Sequence, residues 1–444
     1  MLARQVRLIL AHATPVLLAQ TTAMGMMVID TVLLGHYGTD DLAAVAVGGG
    51  LYISIVLALA GVVQAVAPTV AHLQGAGRKR EIAGALQQAF WLALLLAVPG
   101  AWLLLHPEPM FALSRIEPVV ADKARSYLAL LAIGLPAVLL YRTFHAFCNA
   151  LCQPRPLLAI SVAGTALHAL LAWCLVSGRW GGEPLGVVGC GIANVAVTCF
   201  SLLAATGYLF LGKALRSYRL FADWQPPRQS ALRELVRLGL PMGFSQLVEI
   251  SSFTLIALFV AQLGAATVAG HRIVANVAAI CYMLPLALAI ATLAQVGQAA
   301  GARDWRRAEV TIRAGLLLAS TLSTLLGLVL LLVADPLVAV CTDDPAVQTV
   351  ARTLLIYVAF YQVFDAIQTV AAHALRGYKV TFVPMWVHVL CFWGVGLLGG
   401  WWLALASRQP MGVDGFWLAS VISLILAALT LGGLLWRTAV ALRK

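Results

Sequence analysis

Long apolar runs broken by short polar stretches fill the whole chain. A helix rises 1.5 Å per residue, so about 20 apolar residues cross the hydrocarbon of a bilayer. Runs of that kind lie at 8–34, 45–73, 84–105, 126–150, 157–177, 186–212, 236–262, 268–300, 308–333, 347–375, 381–406 and 414–436. Inside hydrocarbon a backbone must bond to itself, which favours helices. A barrel would instead show short segments of alternating polarity. The pattern therefore predicts an all-α membrane protein with twelve transmembrane helices. The longest polar stretch, 213–235, separates two groups of six. The expected organisation is an N-terminal six-helix lobe at 1–212, a cytoplasmic linker at 213–235 and a C-terminal six-helix lobe at 236–444.

The two halves repeat. With Pro15 placed on Pro241, Gly38 falls on Gly264, Gly75 on Gly301 and Arg80 on Arg306 without a gap. At the same offset Gly186 falls on Gly412 and Gly189 on Gly415. Each half has six spans, so both enter the membrane in the same sense and the lobes are pseudo-symmetric. Such repeats are typical of secondary transporters.

Composition narrows the class. The chain is 61% hydrophobic and 11% charged, against about 45–50% and about 25% in soluble domains. That excludes a soluble enzyme and a disordered tail. The net charge of +11 could suggest a nucleic-acid partner, but its placement argues for membrane topology. With the N-terminus cytoplasmic, the inside segments hold clusters such as Arg4 and Arg7, Arg78-Lys79-Arg80, Lys213 to Arg237, Arg303 to Arg313, Arg376 and Lys379, and Arg437 to Lys444. The outside loops hold only Arg115, Lys123, Arg125, Arg179, Arg352 and Arg408. This bias predicts both termini inside; the richness in Ala, Leu, Arg and Trp suggests a bacterium, so the expected setting is an integral multi-pass protein of a bacterial cytoplasmic membrane. No nucleic-acid partner is needed. The eight cysteines form no CxxC pair and read as small buried hydrophobes. The first run lacks a small-residue cleavage site and is long enough to stay in the membrane, so no removable signal peptide is expected.

Enzyme motifs are nearly absent. Gly207 to Ala214 resembles a phosphate loop but ends in Ala where a Ser or Thr would hold magnesium. There is no HExxH and no GxSxG, so the chain does not read as an enzyme or an ATP-driven pump. The chemistry lies in ionisable residues inside spans, each costing about 2.5–3.5 kcal/mol at a helix centre on insertion scales. Glu249 stands two turns beyond Pro241, and Asp365 sits mid-span with Tyr361 and Gln368 on the same face. Two such carboxylates can hold a dehydrated monovalent metal cation, Na⁺, or a proton. The alternative is that they pair with Arg142 or Arg272 as internal locks. Asp30 lies near the end of the first span, either facing water or contacting an ion or a cationic substrate. Gln368, Tyr141, His145, Tyr282 and Phe253 are candidate cavity-lining residues, the aromatics through cation–π attraction. No resident cofactor is expected, only the coupling ion.

Three segments, Met27-Val28-Ile29-Asp30-Thr31 with Leu42 to Ala46, Gly239-Leu240-Pro241 through Glu249, and Tyr361 to Asp365 with Ala374 to Lys379, resemble the multidrug and toxic compound extrusion (MATE) family in its NorM branch. The resemblance implies two six-helix lobes around a V-shaped cavity, and efflux of small cationic amphipathic drugs or dyes driven by Na⁺ or H⁺ entry. It implies a coupling-cation site at Glu249 and Asp365 with Tyr361 nearby, and a role for Asp30 in the N-terminal lobe. The chain departs from the family on span five, where His168 and Ala172 stand at positions usually held by asparagine. His168 thus joins Asp30 as a candidate N-lobe contact. The expected function is a cation-coupled multidrug antiporter, monomeric in the lipid bilayer. The alternative is a flippase for lipid-linked precursors, which would call for a cavity rich in cations.

Overall fold

The computed structural model describes residues 1–114, 117–179 and 183–443. Arg115 and Lys444, two of the cations used above, lie outside the described residues. Among the described residues the regular structure is helical. In chain order the helices are α1 (Leu2–Tyr37), α2 (Thr39–Val63), α3 (Val66–Gly75), α4 (Lys79–Leu105), α5 (Glu108–Ser114), α6 (Pro118–Ala150), α7 (Arg155–Val176), α8 (Gly186–Leu211), α9 (Gln229–Val260), α10 (Ala265–Gly301), α11 (Trp305–Leu332), α12 (Ala334–Cys341), α13 (Pro345–Gly377), α14 (Phe382–His388) and α15 (Val413–Ala441). The chain beyond α14 continues in π-helical geometry to Ala406. Taking α2 with α3, and α14 with its π continuation, twelve segments are long and apolar enough to cross a membrane, as the hydrophobic runs predict.

Local chemistry sets the helix ends. The Asp304 carboxylate accepts the Arg307 N–H at 2.9 Å and starts α11. Asp344 accepts the Ala346 N–H at 2.8 Å, and Pro345 follows as the first residue of α13. An N-cap acceptor satisfies an orphan donor, and proline at the first position gives up an N–H that has no partner anyway. The repeat is visible in the backbone. Gly186 and Gly412, aligned above, both adopt left-handed φ, 51° and 60°, just as the last helix of each half begins. The next aligned pair, Gly189 and Gly415, lies against backbone. A Cβ on Gly189 would sit 2.8 Å from the Leu175 carbonyl carbon, and one on Gly415 2.7 Å from the Ala404 nitrogen.

Packing sorts the chain into two compact units, one of Met1–Leu17 with Phe244–Lys444 and one of Leu18–Gly243. These divisions fall inside α1 and α9, whereas composition alone points to 213–235. Ile9, Ala13 and Val16 of α1 belong to a core with Ala287–Ala291, Ala314, Ala319, Ala366 and Val370. On α9, Gly239 and Gly243 pack against the carbonyls of Val62 and Ala58, which binds the first part of that helix to the other unit.

The polar stretch after α8 is laced onto α4. The buried Gln87 amide donates to the carbonyls of Leu220 (2.8 Å) and Asp223 (3.2 Å), and its oxygen accepts from Gln225 N–H (2.9 Å). Gln88 donates to Pro226 O (2.9 Å) and accepts from Arg228 N–H (2.7 Å), while Trp91 donates to Gln225 O (3.1 Å). Two adjacent glutamines thus supply the backbone partners that an irregular segment lacks.

The close approaches give a test. Gly189→Ala and Gly415→Ala are each expected to lower the melting temperature in detergent, by about 1–3 kcal/mol of overpacking. Gly207→Ala, where nothing lies within 4 Å of the new carbon, is expected to leave it unchanged or raise it. Equal behaviour of all three would refute the packing account.

Candidate functional site

In the unit containing the second half of the chain, α13 carries a polar stripe through an apolar environment. Gln362, Asp365, Thr369, His373 and Arg376 recur at helical spacing, and all are buried. Gln368 uses its two amide hydrogens at once. One goes to Asp365 Oδ1 at 3.1 Å and the other to Thr369 Oγ1 at 2.9 Å. Gln368 is thus the donor to both Asp365 and Thr369. Tyr282 on α10 stands between Thr369 and the Glu249 carboxylate on α9, near enough to interact with both.

Behind these groups lies a cation. His373 Nδ1 faces the Thr369 carbonyl at 2.9 Å, so that nitrogen carries the hydrogen. Its Nε2 is left as an acceptor and meets Arg376 Nη1 at 3.3 Å. Arg376 was counted above among the inside loop cations. It lies instead in the last turn of α13, 5% exposed, where its charge acts on Glu249 through space. The anticipated locks do not form among the described residues. Arg272 is exposed and Arg142 half-buried, and neither pairs with Glu249 or Asp365.

The other unit holds a second cluster. Asp30 on α1 does not face water. It is 7% exposed, and its Oδ1 meets Nε2 of the fully buried His168 on α7 at 2.7 Å. Asn194 on α8 donates to Asp30 Oδ2 at 3.3 Å and to the Cys190 carbonyl at 3.1 Å. His168 therefore does at Asp30 what a side-chain amide can do, with a ring nitrogen.

The remaining candidates separate. Tyr361 is buried, its ring stacked on Trp417 with centroids 6.1 Å apart. Tyr141 packs on Phe144, and His145 is bonded to Asn149 at 3.2 Å. Phe253 is exposed. Tyr282, a candidate aromatic wall in the sequence, lies beside Glu249 of α9 and Thr369 of α13. Sequence reasoning missed Thr369, although it lies one turn beyond Asp365. It also missed Asn194, whose place beside Asp30 depends on α8 packing against α1 and α7. A third buried aspartate went unremarked. Asp41 accepts from Lys123 at 2.5 Å and from the Val187 N–H at 2.9 Å, joining α2, α6 and the start of α8.

Twelve spans in two sequence-related halves, with carboxylates buried in each half, define a membrane transporter. The MatE family model matches twice, at residues 15–174 and 241–402, an independent statement of the repeat. A probable multidrug resistance protein NorM of Aromatoleum aromaticum is 56% identical over 96% of this chain and 92% of that protein. The multidrug resistance protein NorM of Aliivibrio fischeri is 34% identical over 96% of this chain and 93% of that protein. Among solved structures, the eukaryotic MATE transporter AtDTX14 superposes with a TM-score of 0.89 at 18% identity, covering 100% of this chain and 99% of that one. A MOP superfamily transporter from Pyrococcus furiosus, whose binding pocket of reverse polarity suggests a different function, superposes at 0.90 with 17% identity, covering 99% and 97%. The chain belongs to the MatE family, in its NorM branch. It is a transporter of the multidrug efflux class and not an enzyme.

The Asp30 cluster yields a direct test. His168→Ala removes a hydrogen-bond partner from a buried carboxylate and is expected to cost about 1–3 kcal/mol, read as a lower melting temperature in detergent. His168→Asn, which keeps an N–H donor, is expected to lose less. An unchanged melt for His168→Ala would mean that the pair contributes nothing to stability.

Proposed function

We propose that this chain exports small organic cations in exchange for Na⁺ or H⁺ by alternating access. The observation that carries this reading is the carboxylate pair of Glu249 and Asp365, close enough to act on one another through space and set in an apolar unit. Ionisable residues at membrane depth are costly and mark ion pathways. Two carboxylates against one nearby guanidinium leave a surplus of negative charge that one monovalent cation balances. Because the two carboxylates stand on α13 and α9, with Tyr282 of α10 beside Glu249, a cation between them is felt on three helices. That is how ion binding biases a conformational equilibrium, and linkage makes the effect on drug affinity reciprocal.

Tyr361 and Gln368 serve as positioning groups for Asp365, Gln368 by its direct bond. Asp30 and His168 form the corresponding polar centre of the N-terminal half and contact an ion or the cationic substrate. The names of the relatives, multidrug resistance proteins, support drugs and dyes as the substrate class. The positive-inside bias supports insertion in a bacterial inner membrane with both termini cytoplasmic, and the chain acts as a monomer without a resident cofactor.

Dye efflux from proteoliposomes tests the reading, with a sodium gradient at equal pH and then a proton gradient without sodium. Efflux is expected under at least one gradient. Asp365→Asn and Glu249→Gln are each expected to reduce gradient-driven efflux at least about tenfold, the loss of one charge-assisted interaction, without loss of the folded protein. Full efflux by both variants would overturn the assignment. Movement under neither gradient would turn the reading toward a lipid-linked substrate.

A further inference from the structure

The polar stripe on α13 begins one turn before Asp365, at Gln362, a residue with no exposed surface. Neither its amide nitrogen nor its amide oxygen has a hydrogen-bond partner among the described residues. The Ser323 hydroxyl on α11 is in the same state, fully buried and unpartnered. Leaving such groups unmet is expensive, and a native structure holds few of them.

The two residues come into register across one seam. Gly327 of α11 lies against the backbone of Ala359 on α13, where an added Cβ would be 2.5 Å from the carbonyl oxygen. α11 and α13 are successive spans and so run antiparallel, and carrying the Gly327–Ala359 register one turn on brings Ser323 of α11 to the level of Gln362 of α13. Spacing of four puts Ser323 on the same face as Gly327. Gln362 lies between the α11-facing side of α13, marked by Ala359 and Ala366, and the side that carries Asp365 three residues on.

We propose that Gln362 and Ser323 form a hydration site on the α11–α13 seam, holding one ordered water through which the coupling cation gains and loses its shell at Asp365. The donor set selects water. Gln362 offers two N–H donors and a carbonyl acceptor, and Ser323 offers a hydroxyl that both gives and accepts. Water matches both kinds and meets its need for two to four polar partners. A bare cation would satisfy the oxygens but face the amide hydrogens. A monovalent cation passing to a buried carboxylate must shed water in steps, and a neutral polar station beside the carboxylate lowers that cost without binding the ion tightly. The proposal rests on the antiport reading for its functional half. Its structural half stands on the seam alone.

The test uses the full-length protein with Ser323→Ala, an almost isosteric change, and the double variant Ser323→Ala/Gln362→Leu. High-resolution density of the wild type is expected to show a water within hydrogen-bond distance of both side chains, and density of Ser323→Ala to lose it. The double variant, which deletes both buried polar groups, is expected to keep the wild-type melting temperature or exceed it, whereas Ser323→Ala, which leaves the Gln362 amide unmet, is expected to lower it. In proteoliposomes, half-maximal efflux by both variants should need about tenfold more coupling ion, the equivalent of one lost charge-assisted contact. A raised melting temperature with unchanged ion dependence would reduce the pair to a packing defect and overturn the proposal. So would density showing Gln362 bonded directly to Ser323. A wild type that no ion gradient drives would defeat the antiport reading, while the density would still decide the water site.

Discussion

Inside a bilayer a backbone amide has no water to bond to, and the rest of this structure depends on that constraint. It forces each apolar run into a helix that meets its own hydrogen bonds. It also leaves side chains as the means of satisfying whatever the helices do not. Where the cytoplasmic stretch after α8 packs on α4 and gives up water there, two glutamines of α4 supply partners to the backbone between Leu220 and Arg228. In the π-helical stretch after α14, the hydroxyls of Ser252 and Ser423 donate to the carbonyls of Phe392 and Cys391. Both are answers to the same shortage.

The same constraint makes the interior charges informative. A carboxylate in hydrocarbon must be paired, bonded or neutralised, and Asp41, Asp30, Asp365 and Glu249 meet that demand in different ways. Asp41 takes a lysine and a backbone N–H, an arrangement that joins helices and is complete in itself. Asp30 takes a histidine ring and an amide. Asp365 takes a single amide hydrogen, and Glu249 has only the neighbouring Tyr282. The last two are the least satisfied of the four and act on one another through space, which is the physical reason for reading them as the place where a mobile cation binds. Arg376 stands nearby behind a histidine held by the Thr369 carbonyl, close enough to influence the pair without forming a salt bridge with it.

Much of this was legible from residue order alone. The length of the apolar runs gives the twelve spans, because crossing hydrocarbon needs a set number of residues. The repeat was legible because proline and glycine act locally, so that Gly186 and Gly412 need the same left-handed backbone in either half. The acids at 249 and 365 stood out because charge is rare at membrane depth. The division of packing was less legible. Composition marks 213–235 as a boundary, but α1 and α9 sort by the surfaces they bury, and a uniformly apolar helix does not announce which neighbour each face will meet.

The sequence by itself thus determined the class of protein, the number of spans, the internal duplication and the acids on which its chemistry rests, since these follow from chain length, local backbone preference and the cost of charge in hydrocarbon. Only the tertiary structure decided which polar groups meet. It set Tyr282 beside Glu249, moved Arg376 from a loop to the interior, and brought His168 to Asp30 across 138 positions of the chain. It also left Ser323 and Gln362 buried without partners on two packed helices. Such meetings depend on the rotation and register of one helix against another, which are fixed by the packing of many small side chains together and not by any residue alone.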